Sequence, residues 1–134
     1  VTVADNLTVD GDLNLSGNFR PTMTETDIDE QHGTLSASAV NTGLIIHTST
    51  TATGTLTFDS AANYVSTSGL SADNMCIEFY VINDGDQTVN FAADSGPTVT
   101  IKNGATTSVA ANKGVKVILR RTGATAVSAY IFGQ

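Results

Sequence analysis

From Leu44 onward the chain repeats one pattern: a short stretch with apolar residues at alternate positions, then a turn rich in Asn, Asp, Thr or Gly. Successive side chains of a strand point to opposite faces, so this alternation commits each stretch to a β-strand with one buried side. The stretches are 44–50 (LIIHTST), 54–58 (GTLTF), 76–83 (CIEFYVIN), 88–93 (TVNFAA), 98–102 (TVTIK), 107–111 (TSVAA), 115–121 (VKVILRR) and 126–132 (AVSAYIF). Asn83-Asp84-Gly85-Asp86, Asn103-Gly104, Asn112-Lys113-Gly114 and Thr122-Gly123 separate them, and these residue types tolerate the positive φ of tight turns. The pattern predicts an all-β domain over 44–134, an antiparallel β-sandwich of jelly-roll type. "DSAANYV" adds one helical turn capped by Asp59 or Ser60.

Parity within the strands separates core from surface. Ile77, Phe79 and Val81 form one apolar set, as do Val115, Val117 and Leu119, and Val127, Ala129 and Ile131. These sets face inward, which leaves Glu78, Tyr80, Lys116, Ile118, Arg120, Tyr130 and Phe132 outside. Aromatic and aliphatic residues gathered on the outer faces of neighbouring strands fit a subunit interface, so Tyr80, Ile118, Tyr130 and Phe132 are its candidates.

The start of the chain has a different period. In "VTVADNLTVDGDLNLSGNF", Val1, Leu7, Leu13 and Phe19 share one phase of a six-residue repeat, while Val3, Val9 and Leu15 share another. Each copy is a strand of about three residues ended by a turn pair, and one copy has too little surface to bury its two apolar side chains. Several chains that bring these segments together would bury them along a shared axis. Residues 1–20 therefore read as a β-repeat arm or stalk; the alternative is that their free backbone groups dock on the sheet edge of a partner.

Between arm and sandwich, residues 21–43 read as an acidic linker. "TETDIDEQHG" holds Glu25, Asp27, Asp29 and Glu30 in six positions, a solvated run or, less economically, a calcium loop that lacks the usual Gly and terminal Glu spacing. "LSASAVNTG" follows as a brief helix, with Ser36 as its cap and Gly43 as its stop.

The net charge of −7 repels nucleic acid and anionic lipid, and no apolar run approaches the length of a membrane span, so neither partner is expected. That charge is unevenly spread. Residues 1–101 hold all 13 acidic side chains and one base, Arg20, whereas 102–134 hold Lys102, Lys113, Lys116, Arg120 and Arg121 with no acid. Lys116, Arg120 and Arg121 are the candidates for electrostatic contact with an acidic surface, unless they simply decorate exposed strands. Cys76 is the single cysteine and, among apolar neighbours, reads as a small buried hydrophobe. His32 and His47 lack metal-ligand spacing, and no nucleophile elbow, phosphate loop or Cys pair is present. The chain is expected to be no enzyme and to need no cofactor or metal.

The stretch "NLTVDGDLNLSGNF" resembles the repeats that open phage tail-fibre and head-fibre proteins. The ordered stretches "LSASAVNTGLIIHTST", "IEFYVINDGDQTVNFAADSGPTVTI" and "ILRRTGATAVSAYIFG" look like a module found in structural proteins of marine phages and some large viruses. The resemblance implies a non-enzymatic virion component, a trimeric capsid decoration or head-fibre protein whose partners are its own copies and the major capsid protein or another virion protein. The alternative is a receptor- or glycan-binding fibre tip. The chain has no Trp, so only Tyr64, Tyr80 and Tyr130 are available as a sugar platform.

Overall fold

The computed structural model describes residues 23–48, 51–96, 98–102 and 106–133. The repeat of residues 1–20 and the turn at Asn103-Gly104 lie outside these. The described chain is mostly β, arranged in two mixed sheets.

The order along the chain is β1 (Thr24–Ile28), β2 (His32–Leu35), α1 (Ala37–Val40), β3 (Gly43–His47), β4 (Gly54–Phe58), α2 (Ala61–Thr67) and β5 (Cys76–Asn83). It continues with β6 (Val89–Ala92), β7 (Val99–Ile101), β8 (Ser108–Val109), β9 (Lys113–Gly123) and β10 (Ala126–Phe132). One sheet has six strands in the order β1-β3-β5-β9-β10-β7; the other has four in the order β2-β4-β6-β8.

The first six strands alternate between the sheets, and each lies parallel to the strand two before it: β1 on β3, β3 on β5, β2 on β4, β4 on β6. A parallel pair needs a crossover connection, and here the crossover is itself a strand of the opposite sheet. Antiparallel pairing appears later, where β9 joins β5, β10 joins β9 and β8 joins β6. This corrects the expected antiparallel, jelly-roll-like connectivity. Turn residues such as Asn83 to Asp86 carry the chain from one sheet to the other rather than closing hairpins, and the tight same-sheet hairpin is β9–β10.

A second correction concerns residues 21–43, read as a linker. Residues 24–28 pair with β3 and residues 32–35 pair with β4, so the acidic stretch supplies an edge strand to each sheet. Charged side chains on an edge strand discourage pairing with a foreign chain. The brief helices follow the expectation. Ser36 Oγ accepts from Ala39 N, Ser60 Oγ accepts from Asn63 N, and Gly43, at φ +86°, turns the chain from the end of α1 into β3.

The inward faces of both sheets contribute to one apolar core. Leu35, Leu56, Phe58, Val89, Phe91 and Val109 come from the four-stranded sheet. Ile45, Phe79, Val81, Val117, Leu119 and Ile131 come from the other. Phe58 and Phe91 stack side by side with ring centroids 5.9 Å apart. The parity of β5, β9 and β10 follows the sequence reading: Phe79, Val81, Val115, Val117, Leu119, Val127, Ala129 and Ile131 are buried, and Ile77 packs against them.

Tyr64 on α2 fixes the end of this core. It is fully buried, its hydroxyl donates to Leu35 O and accepts from Asp59 N at 2.9 Å, and burial holds its phenol protonated to well above the ordinary tyrosine range. One side chain thereby joins α2 to the ends of β2 and β4. Tyr64→Phe keeps the ring but leaves a buried carbonyl and a part-buried amide without the hydroxyl that joins them. It is expected to lower unfolding stability by about 1–3 kcal/mol in urea melts, with the slope of the transition unchanged.

Candidate functional site

The outer faces of the two sheets differ in chemistry. On the four-stranded sheet the outward positions are His32 and Thr34 of β2, Thr55 and Thr57 of β4, Asn90 and Ala92 of β6, and Ser108 of β8. The register sets these side by side, Thr34 beside Thr57 and Thr55 beside Asn90, giving a wet surface of hydroxyls and amides.

The six-stranded sheet presents the opposite. Its register builds a row Glu25–Leu44–Tyr80–Lys116–Phe132 running from β1 across to β10. A second row is Asp27–Ile46–Ile82–Gly114, and a third is Glu78–Ile118–Tyr130. Tyr80, Ile82 and Phe132 are exposed, Phe132 by 51%, while Leu44, Ile46, Ile118 and Tyr130 are half-buried. Met23, exposed and just ahead of β1, lies beside Gly43 at the start of β3. Glu25 and Asp27 sit at the β1 edge of this patch, whereas Lys116 and Arg120 of β9, with Glu78 next to Lys116, lie inside it, between the apolar groups of β3 and β5 and those of β10.

A hollow of about 360 Å³ interrupts the patch, lined by Leu44, Tyr80, Ile82, Gly114 and Lys116. It exists because Gly114 puts no side chain beside Ile82. A Cβ there would come no closer than 3.4 Å to its neighbours, and Gly114 is not among the residues with positive φ. Neither space nor backbone geometry therefore demands glycine at this position.

The interface candidates Tyr80, Ile118, Tyr130 and Phe132 all lie on this outer face, together with Leu44, Ile46 and Ile82, which the sequence does not single out. Val1, Val3, Leu7, Val9, Leu13, Leu15 and Phe19 lie outside the described residues. The basic candidates separate. Lys116 Nζ lies 3.6 Å from Glu78 across the strands, an exposed pair of small energetic weight. Arg120 donates to Asn74 Oδ1. Arg121 is committed internally, 3.1 Å from Asp73 and donating to Leu70 O and Gly123 O. Cys76 is exposed, contrary to the expected buried role: it opens β5 with the parity of Glu78 and Tyr80 and so shares their outward face.

Glu25 and Asp27 line the outer row of β1, and among the described residues no group of three His, Cys, Asp or Glu is placed to hold a metal ion. His47 is buried with Nε2 3.0 Å from Glu30 O and Nδ1 without a hydrogen-bond partner. Tyr64 is sequestered in the core, so Tyr80 and Tyr130 are the tyrosines that reach the surface.

A second depression, about 530 Å³ and polar, opens at one end of the four-stranded sheet between Thr34, Thr57, Asp59, Asn63, Asp94 and Thr98. Its carboxylates already hold the fold. Asp59 accepts from Ser60 N, Asn63 Nδ2 and Ala37 N. Asp94 accepts from Val99 N and from Thr98 Oγ1, both at 2.8 Å, and Thr98 Oγ1 in turn accepts from Ala61 N. Burial pushes the Asp94 carboxyl up, but the bonds from Val99, Thr98 and Gly96 outweigh it and hold the group below the ordinary carboxylate range.

Comparison with protein families, with curated proteins and with solved structures finds no match to this chain.

Because the folded pKa of Asp94 lies below its unfolded value of 3.8, its contribution to stability is full above that pH and fades as pH falls through the folded value. The gap in unfolding midpoint between the wild type and Asp94→Asn is therefore expected to be constant between pH 5 and 7 (on the order of a pH unit or more above the carboxylate range) and to narrow in more acidic buffer. A gap independent of pH would mean that the ionised carboxylate contributes nothing.

Proposed function

We propose that the chain is a non-enzymatic structural protein of a virion, a capsid decoration or head-fibre protein that assembles as a homotrimer. The observation that carries the assembly part is the contrast between the two outer faces. An apolar patch on one sheet, crossed by the Lys116–Glu78 pair, beside a hydroxyl-covered face on the other, supports reading the first as a surface that another protein covers. Tyr80, Tyr130 and Phe132 are of the types enriched at interface centres, Ile118 adds aliphatic surface beside Tyr130, and Lys116, between Tyr80 and Phe132, and Arg120, further along the same strand, supply charge that sets register.

The virion part rests on the resemblance of the six-residue repeat and of the ordered stretches from Leu35 to Gly133. In this reading the two sheets form a sandwich, and residues 1–20 project from it as an arm that either joins the stalks of three chains or docks on the particle. The major capsid protein or another virion protein is the partner, the particle surface is the location, and no metal or cofactor takes part.

Light scattering coupled to gel filtration tests the assembly: the intact protein is expected at three times the 13.8 kDa chain mass, and a single-chain mass at micromolar concentration would sink the proposal. Attachment is tested by deleting residues 1–20 and adding the remainder to particles stripped of this protein. Docking through the arm predicts lost occupancy with the fold intact. Full occupancy by the truncated chain would place attachment on the sheets instead.

A further inference from the structure

We propose that the hollow over Gly114 receives the Phe132 side chain of a second copy of this chain. The inference rests on the self-association reading above and gives that contact a specific geometry. Phe132 is the most exposed large apolar side chain among the described residues. It stands on the same outer face as the hollow but is no part of its lining, because Lys116 occupies the register position between Phe132 and Tyr80. Knob and hollow are therefore distinct features of one surface, and a phenyl ring suits walls made by Leu44, Tyr80 and Ile82.

Charge complementarity selects a second copy as the occupant. Neighbouring strands lie about 4.8 Å apart. When β10 of one copy lies over the hollow of the next with its β9 toward the neighbour's β1, Lys116 falls over Leu44. The next residue in that row is Glu25, so the lysine head group meets a carboxylate that has no ion pair among the described residues. The Lys116–Glu78 pair within the chain is exposed and readily exchanged for it. The contact is heterologous, with Phe132 and Lys116 on one side and the hollow and Glu25 on the other.

The test uses the full-length chain. Phe132→Ser removes an exposed knob, and Gly114→Trp fills the hollow from a position where a Cβ fits. Both variants should therefore keep the circular dichroism and melting profile of the wild type. Each is expected to raise the dissociation constant of self-association by roughly 30-fold or more, the effect of a buried aromatic anchor. Mixing the two variants should restore one contact, between the knob of Gly114→Trp and the hollow of Phe132→Ser, and native mass spectrometry should show a 1:1 heterodimer. Glu25→Lys and Lys116→Glu should each weaken assembly several-fold, and the double exchange should recover it. A monomeric wild type overturns the self-association reading and this inference together. A trimeric wild type whose Phe132→Ser and Gly114→Trp variants stay trimeric overturns this inference alone. Loss of assembly with Gly114→Trp but not with Phe132→Ser would assign the hollow to another occupant, such as the repeat of residues 1–19, and also overturns it. So does a mixture that gives no heterodimer.

Discussion

One shared core is the constraint from which the rest of this structure follows. Every strand must give one face to it, and because the chain crosses from sheet to sheet between β1 and β6, each crossing returns a strand beside the one laid down two steps earlier. The parallel ladders are thus a by-product of filling a single interior from two sides. Parity then frees the opposite faces from packing duty. On the four-stranded sheet they became threonine, asparagine and serine; on the six-stranded sheet they became leucine, isoleucine, tyrosine and phenylalanine.

The polar groups at the margins of the core are consistently used up by the fold. Tyr64 satisfies a strand-end carbonyl and amide, Asp59 serves the first turn of α1 and the start of α2, and Asp94 orders the approach to β7. Asn83, buried at the end of β5, donates to Gln87 O and Val109 O and accepts from Gly85 N, which fixes the crossing toward β6. Buried polar atoms without such partners are costly, so these contacts define where the sheets can end. They also separate structural carboxylates from the free acids of β1, which is why charge at the outer face, rather than at the polar depression, enters the assembly argument.

Much of this was legible in residue order. "GTLTF", "CIEFYVIN" and "AVSAYIF" are strands from end to end, and Ser36 and Ser60 cap the helices that their positions announced. The first two strands were not, because TETDI offers the core only Ile28 and HGTL only Leu35, and an edge strand shows too few apolar residues for alternation to emerge. Strand direction was hidden for another reason: turn residues report that the chain bends, not which sheet it bends into. The apolar neighbours of Cys76 in sequence suggest burial, whereas its parity with Glu78 and Tyr80 directs it outward. The hollow had a faint signal, a glycine opposite Ile82 in an otherwise filled pattern. Its meaning depends on the β5–β9 register, which only the folded chain supplies.

The place of the β9–β10 hairpin has a consequence for how the chain is made. These strands come last in the described sequence, yet they lie in the interior of the six-stranded sheet, with β5 on one side and β7 on the other. Until they emerge from the ribosome, β5 has an open edge carrying its unpaired amides and carbonyls, and β7 has no sheet to join. Synthesis therefore produces the flanks first and the keystone afterwards, and the contacts that complete the sheet span long sequence separations. Such an order makes folding slow and leaves the nascent chain in need of protection along β5, the edge where a wrong partner would do most damage.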